Sequence, residues 1–215
     1  IITTAKKASQ TIIDLQPNLV INDVLDTAID YMRALKQSDI RTVNFEDMGP
    51  GIDEADLVIN ALYPTSFPSK HVLSGAEYFC LRDEFLYIDV PPIQKNVKKV
   101  LLCFGGVDEG DLSRRALTAI APKCVEDGIA ITIVLGLGYG FGKELTEYAN
   151  SLALNDVTIV QGTSRMSDFM VDADLAITSG GRTVFELASL NVPTLVICQN
   201  ERELTHKFAS SDNGV

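Results

Sequence analysis

The 215-residue chain predicts an α/β fold with two Rossmann-like parallel-sheet domains, the first of them incomplete. Two observations carry that reading. Short apolar runs of strand length alternate with amphipathic helical stretches, the pattern of parallel sheets covered on both faces. A stretch at 64–96, bracketed by Pro64, Pro68, Pro91 and Pro92, interrupts the alternation and divides it into a shorter and a longer series. The domains are therefore placed at 1–90 and 97–215, joined by a linker at 91–96.

In the first domain, Ala5, Ala8, Ile12 and Leu15 share one helical stripe, which Pro17 stops before NLVIND, read as a buried strand. Val24, Leu25, Ala28, Ile29, Met32 and Leu35 form the face of a second helix, followed by the strand RTVNFED. After the turn-rich MGPGIDEA, DLVINALYP is the third strand. Three strands are few for an independent doubly wound sheet, so one further βαβ unit of ~30 residues is expected before Ile1. The second domain supplies five strands, VKKVLLCFGG, IAITIVLGLG, DVTIVQGT, DLAITSGG and VPTLVICQN. Helices are expected near 111–126, 142–153, 165–173 and 182–190, which completes a Rossmann-like unit.

Composition narrows the functional classes. With 46% hydrophobic and 22% charged residues the chain is neither disordered nor collagen-like. Its 18 Lys and Arg against 29 Asp and Glu leave a net charge of −11, which argues against nucleic acid as a partner. No apolar run reaches the ~20 residues of a membrane span, and IITTAKKASQ lacks a signal-peptide core, so a cytoplasmic location is expected. Cys80, Cys103, Cys124 and Cys198 are scattered and read as buried free thiols. With only His71 and His206 to supply imidazole, no metal or other cofactor is expected.

Ligands of open parallel sheets bind at the carboxyl ends of the strands, and those ends are glycine-rich here. In TSGGRTVFE, Ser179, Gly180 and Gly181 would let a phosphate approach the N–H groups of a helix starting near Arg182, with Ser179 or Thr183 adding a hydroxyl. Glu186, one turn further, can accept hydrogen bonds from two neighbouring hydroxyls of a ribose. The same residues also suit a plain helix entry followed by a solvent-facing glutamate. FGGVDEGD adds Gly105, Gly106 and Asp108 to the candidate nucleotide set, with Asp108 or Asp111 alternatively serving as an N-cap. Gly136 joins them from GLGYGFGK, a stretch that satisfies neither GxGxxG nor the Walker A loop, since Glu144 follows Lys143. A nicotinamide dehydrogenase and a P-loop ATPase are thereby disfavoured. In QNERELTH, Gln199 and Asn200 offer both donors and acceptors, and His206, expected two turns into a helix, is a candidate base.

Two Rossmann-like halves with SGGRTVFE opening a late helix resemble the GT-B group of nucleotide-sugar enzymes. In its lipid-II-forming N-acetylglucosaminyltransferase a similar S-G-x-x-T-V-x-E stretch binds the nucleotide. The resemblance assigns the ribose to Glu186 and the phosphates to Ser179, Gly180, Gly181 and Thr183. The chain is also similar, more closely, to the nucleotide-sugar hydrolases of pseudaminic acid synthesis and the related spore-coat polysaccharide proteins. NLVINDVLD, NFEDMG, ADLVINALYP, GAEYFCLRDEF, VLLCFGGVDEGD, DLAITSGGRTVFELASLNVPTLVI and QNERELTH carry that likeness in order along almost the whole chain. It implies cleavage of a UDP-linked 2,4-diacetamido-2,4,6-trideoxy sugar to UDP and free sugar, with Gln199 and Asn200 facing the sugar. The family's base is a histidine in a glycine-rich loop after its first strand. No such loop stands in the sequence, so that residue is expected before Ile1; within the chain, Asn200 and His206 are the catalytic candidates. Two alternatives stay open: a GT-B glycosyltransferase with a UDP-sugar donor, and a non-catalytic sugar-nucleotide-binding domain.

Overall fold

The structure is a computed structural model that describes residues 5–63, 71–152, 154, 156–210 and 213. By packing, the chain forms two units, Ile1–Cys80 and Leu81–Val215. The sequence placed the linker at 91–96, yet Phe85 is already a core residue of the second unit, with Leu81 and Ile88 packed against the same cluster. Pro64 and Pro68 lie outside the described residues.

The first unit is a parallel sheet in the order β1 (Leu19–Asp23), β2 (Arg41–Phe45), β3 (Leu57–Asn60) and β4 (Val72–Ser74), with helices α1 (Ala5–Asp14) and α2 (Ile29–Gln37). The expected count of three strands is corrected to four. β4 is three residues long, too short to show a period, and its pairing of Val58 with Val72 defines it. Nor is β1 a buried strand. It lies at the sheet edge, with Asn22 turned towards Met32 of α2 while Ile21, on the opposite face, is 62% exposed. The second helix begins at Ile29, so Val24 and Leu25 are exposed loop residues, and Leu15 likewise falls past the end of α1.

Asp47 explains that shortened helix. Fully buried, its carboxylate accepts the backbone N–H of Thr27 at 2.9 Å, the Thr27 hydroxyl at 2.6 Å, Asn44 Nδ2 at 2.6 Å and the Gly49 N–H at 2.9 Å. Asn22 Nδ2 donates to Asn44 Oδ1, and Asn60 brackets the Asp47 backbone by accepting its N–H and donating to its carbonyl. These bonds tie the loops after β1 and β2 to each other and to the end of β3, and they outweigh the helical pattern of 24–28.

The second unit is a five-stranded parallel sheet in the order β7 (Val157–Gln161), β6 (Ala130–Leu135), β5 (Lys99–Cys103), β8 (Leu175–Thr178) and β9 (Thr194–Val196). Helices α3 (Asp83–Leu86), α4 (Leu112–Asp127), α5 (Gly142–Ser151), α6 (Met166–Val171) and α7 (Thr183–Ser189) accompany it; the last four fall where the periodicity places them. β5 is central and covered on both faces. Val100, Leu102 and Phe104 belong to one core, Leu101 and Cys103 to the other. Strand order reverses between β5 and β8, the switch point at which doubly wound sheets leave a crevice. No helix among the described residues is long and apolar enough to cross a membrane.

Candidate functional site

A cavity of about 620 Å³ opens at that switch point, within the second unit. Its walls come from the loops after β5 (Gly105, Gly106), β6 (Gly136, Leu137) and β7 (Gly162, Thr163, Ser164), and from Thr183 and Glu186 on α7. The glycines permit the loops to close up. A Cβ on Gly136 would lie 2.2 Å from the carbonyl oxygen of Gly106, so the two loops meet backbone to backbone, and Gly105 has φ +76°, where side chains are strained. Five sequence-predicted residues, Gly105, Gly106, Gly136, Thr183 and Glu186, therefore line one cavity.

The others predicted for the site do not line it. Asp108 is buried and caps α4, accepting the N–H groups of Leu112 and Ser113 at 2.7 and 2.9 Å. Ser179 is also buried. The turn expected to greet a phosphate holds an internal carboxylate instead: Glu203 Oε2 accepts the N–H of Gly180 at 3.0 Å and of Gln199 at 2.7 Å. The sequence did not single out Glu203. Asn200 Oδ1 accepts the Glu203 N–H, and the Gln199 amide donates to the Phe104 carbonyl, whose strand end leads into Gly105. His206 does not sit in a helix. It follows the short 3-10 turn Glu203–Thr205, and because a carbonyl only accepts, its Nδ1 donates to Gly180 O at 2.6 Å.

Glu186 is not a solvent-facing glutamate. Its side chain is only 10% exposed, and Oε1 accepts a hydrogen bond from Arg82 Nε at 2.9 Å. Arg82 also lines the cavity, and sequence reasoning gave it no role because it stands in the proline-bracketed stretch 64–96 that interrupts the strand–helix alternation, away from the glycine-rich strand ends. Burial pulls the guanidinium down, but the hydrogen bond to Glu186 and the carboxylates of Glu186 and Glu84 outweigh it and hold it above its ordinary value. Thr163, Ser164, Leu137 and Met166 are further wall residues that no motif announced.

Cys103 reaches the cavity wall, where burial pushes its thiol up to about 12 and so disfavours the thiolate that a nucleophile needs. The expectation of four buried thiols is corrected at Cys80, which is exposed, and at Cys198, which is half-buried. Iodoacetamide at pH 8 is expected to label Cys80 in the native protein and to leave Cys103 unmodified, as peptide mass spectrometry would read. Since the folded value lies above the ordinary 9.0, the Cys103 contribution to stability is complete below about pH 9 and is lost as pH rises towards about 12.

No protein-family model matches the chain. It is 27% identical over 203 residues to protein MJ1062 of Methanocaldococcus jannaschii, covering 87% of this chain and 42% of that protein. It is 24% identical over 206 residues to the spore coat polysaccharide biosynthesis protein SpsG of Bacillus subtilis, covering 92% of this chain and 60% of the relative. The chain thus spans about half the length of these curated relatives. Among solved structures, MurG of Acinetobacter baumannii matches with a TM-score of 0.62 at 16% identity, over 97% of this chain and 61% of that one. UDP-GlcNAc 2-epimerase of Neisseria meningitidis, bound to UDP-GlcNAc, matches with a TM-score of 0.55 at 15% identity, over 94% and 68%. Two parallel-sheet α/β units with such neighbours make the fold GT-B-like.

Proposed function

We propose that the second unit binds the nucleotide half of a UDP-linked sugar in the switch-point cavity, and that the protein hydrolyses that sugar-nucleotide in surface polysaccharide or nonulosonic acid synthesis. One observation carries the binding reading: a nearly buried carboxylate, Glu186, paired with Arg82, stands in a cavity whose other walls are glycine backbone, hydroxyls and apolar or sulfur-bearing side chains. Carboxylate oxygens accept from both hydroxyls of a ribose, and the flat backbone of Gly105, Gly106 and Gly136 admits a diphosphate closely. The Thr183 hydroxyl adds a neutral donor. A net charge of −11 is no obstacle, because neutral donors facing the anion act at short range while distant surface charges are screened. The likeness to SpsG supports the polysaccharide context, and the UDP-GlcNAc-bound epimerase supports the ligand class.

Within this reading, the Gly180 N–H reaches a phosphate only if it displaces the Glu203 carboxylate, and Ser179 and Gly181 lie outside the cavity lining, so Gly105, Gly106 and Thr183 are the first phosphate contacts. Gln199 and Asn200 remain the proposed sugar-facing pair. Cleavage at the anomeric carbon needs stabilisation of the departing diphosphate and a base to orient water. The family resemblance supports a histidine as that base.

The test is incubation of the protein in its natural full length with UDP-2,4-diacetamido-2,4,6-trideoxy sugars and with UDP-GlcNAc, without acceptor. Equal amounts of UDP and free sugar are expected. UDP release only after an acceptor is added would establish transfer instead, and intact donor under both conditions would leave a binding domain.

A further inference from the structure

We infer that Arg82 is a positioning residue that presets Glu186 for a 2′,3′-diol, and so sets the preference of the cavity for ribonucleotides over 2′-deoxyribonucleotides. This rests on the proposed nucleotide reading of the cavity and goes beyond it, because the family resemblance includes the stretch GAEYFCLRDEF but assigns Arg82 no role.

The guanidinium is held on three sides. Nε donates to Glu186 Oε1 at 2.9 Å, Nη1 pairs with Glu84 Oε1 at 2.6 Å, and the Cζ atom stands 5.1 Å from the centroid of the Phe85 ring. Glu84 is fixed in turn, its Oε2 accepting the N–H of Ser167 at the start of α6. A rigid planar fork between two carboxylates fixes the direction of each, which an ammonium on a flexible stem does not do. The bond to Oε1 and the near-burial of the side chain restrict the carboxylate plane of Glu186 before any ligand arrives.

That plane matters for a diol. Two adjacent hydroxyls donate to a carboxylate in a narrow range of geometry, and a carboxylate that already holds it loses less side-chain freedom on binding. The Arg82 bond engages Oε1, and a carboxylate oxygen has two lone pairs, so Glu186 keeps acceptor capacity for both hydroxyls. Arg82 and Glu186 are the only charged residues lining the cavity among those described. If Arg82 instead served to neutralise phosphate, its loss would weaken every nucleoside diphosphate alike.

The experiment measures binding of UDP and 2′-deoxy-UDP by calorimetry to the wild type, Arg82→Gln and Glu186→Ala. The wild type is expected to prefer UDP by about tenfold or more. Arg82→Gln is expected to bring that ratio below about threefold, over and above any loss that both diphosphates share on removal of the cation. A ratio retained in Arg82→Gln, with either unchanged affinities or equal loss for both ligands, overturns the inference while leaving the ribose reading intact. A wild type without preference, or a Glu186→Ala that keeps it, overturns the ribose reading and the inference with it. Should Arg82→Gln fail to fold, Arg82→Lys takes its place: an intermediate ratio is expected, and a wild-type ratio overturns the role of the fork.

Discussion

Glu186→Ala is expected to weaken UDP binding by about 1.5–3 kcal/mol, roughly 10- to 150-fold, the usual worth of hydrogen bonds to a charged group. The size of the loss follows from the setting. Glu186 is nearly buried in the cavity wall, so a ribose hydroxyl that loses it there is screened from the water that would replace it. Alanine also strips Arg82 of one of its two carboxylate partners and leaves a cation lining the cavity, which will attract the diphosphate and offset part of the loss. Glu186→Gln separates the two effects, since it keeps an acceptor oxygen but weakens the Arg82 pair. Calorimetric titration with UDP reads both variants, and unchanged affinity in folded Glu186→Ala would overturn the ribose assignment.

Asp47→Ala carries the largest expected effect on stability, about 3–5 kcal/mol, since each buried donor left without an acceptor costs about 1–3 kcal/mol and partial relaxation recovers some of the sum. Four donors lose their acceptor at once, two of them backbone N–H groups of Thr27 and Gly49 with no solvent to turn to. Against a typical domain stability of about 5–15 kcal/mol the first unit would be left marginal. Because the chain packs as two units, urea unfolding followed by circular dichroism is expected to show an early transition moved to lower denaturant and a second left in place. A midpoint equal to that of the wild type would mean that the network is dispensable. Asp47→Asn, which keeps one acceptor oxygen, is expected to fall between the two.

Much of the second unit was legible in the order of its residues. Its five strands are runs of apolar residues at strand length, and four of its helices carry amphipathic faces close to their observed limits. Period is a local property, written by neighbours along the chain, so it survives without knowledge of the fold. The glycines after β5 and β6 were legible for the same reason, since only glycine permits such close backbone approach.

What the chain order left open was decided by partners distant in sequence. β4 has too few residues to display a period, and only its register against β3 makes it a strand. The helical pattern of 24–28 yields to Asp47, some twenty residues away. Glu203 fills the turn at Gly180 because two backbone N–H groups from the ends of β8 and β9 converge there. Arg82 and Glu186 are 104 residues apart, and no local rule couples them. The sequence by itself determined the fold class, the glycine-edged strand ends and Glu186 as a candidate. Only the tertiary structure decided which of those strand ends form one cavity and which donors its carboxylate already holds. Secondary structure follows from short-range sterics and burial pattern, whereas the pairing of buried polar groups is settled only when desolvation forces each of them to find a partner.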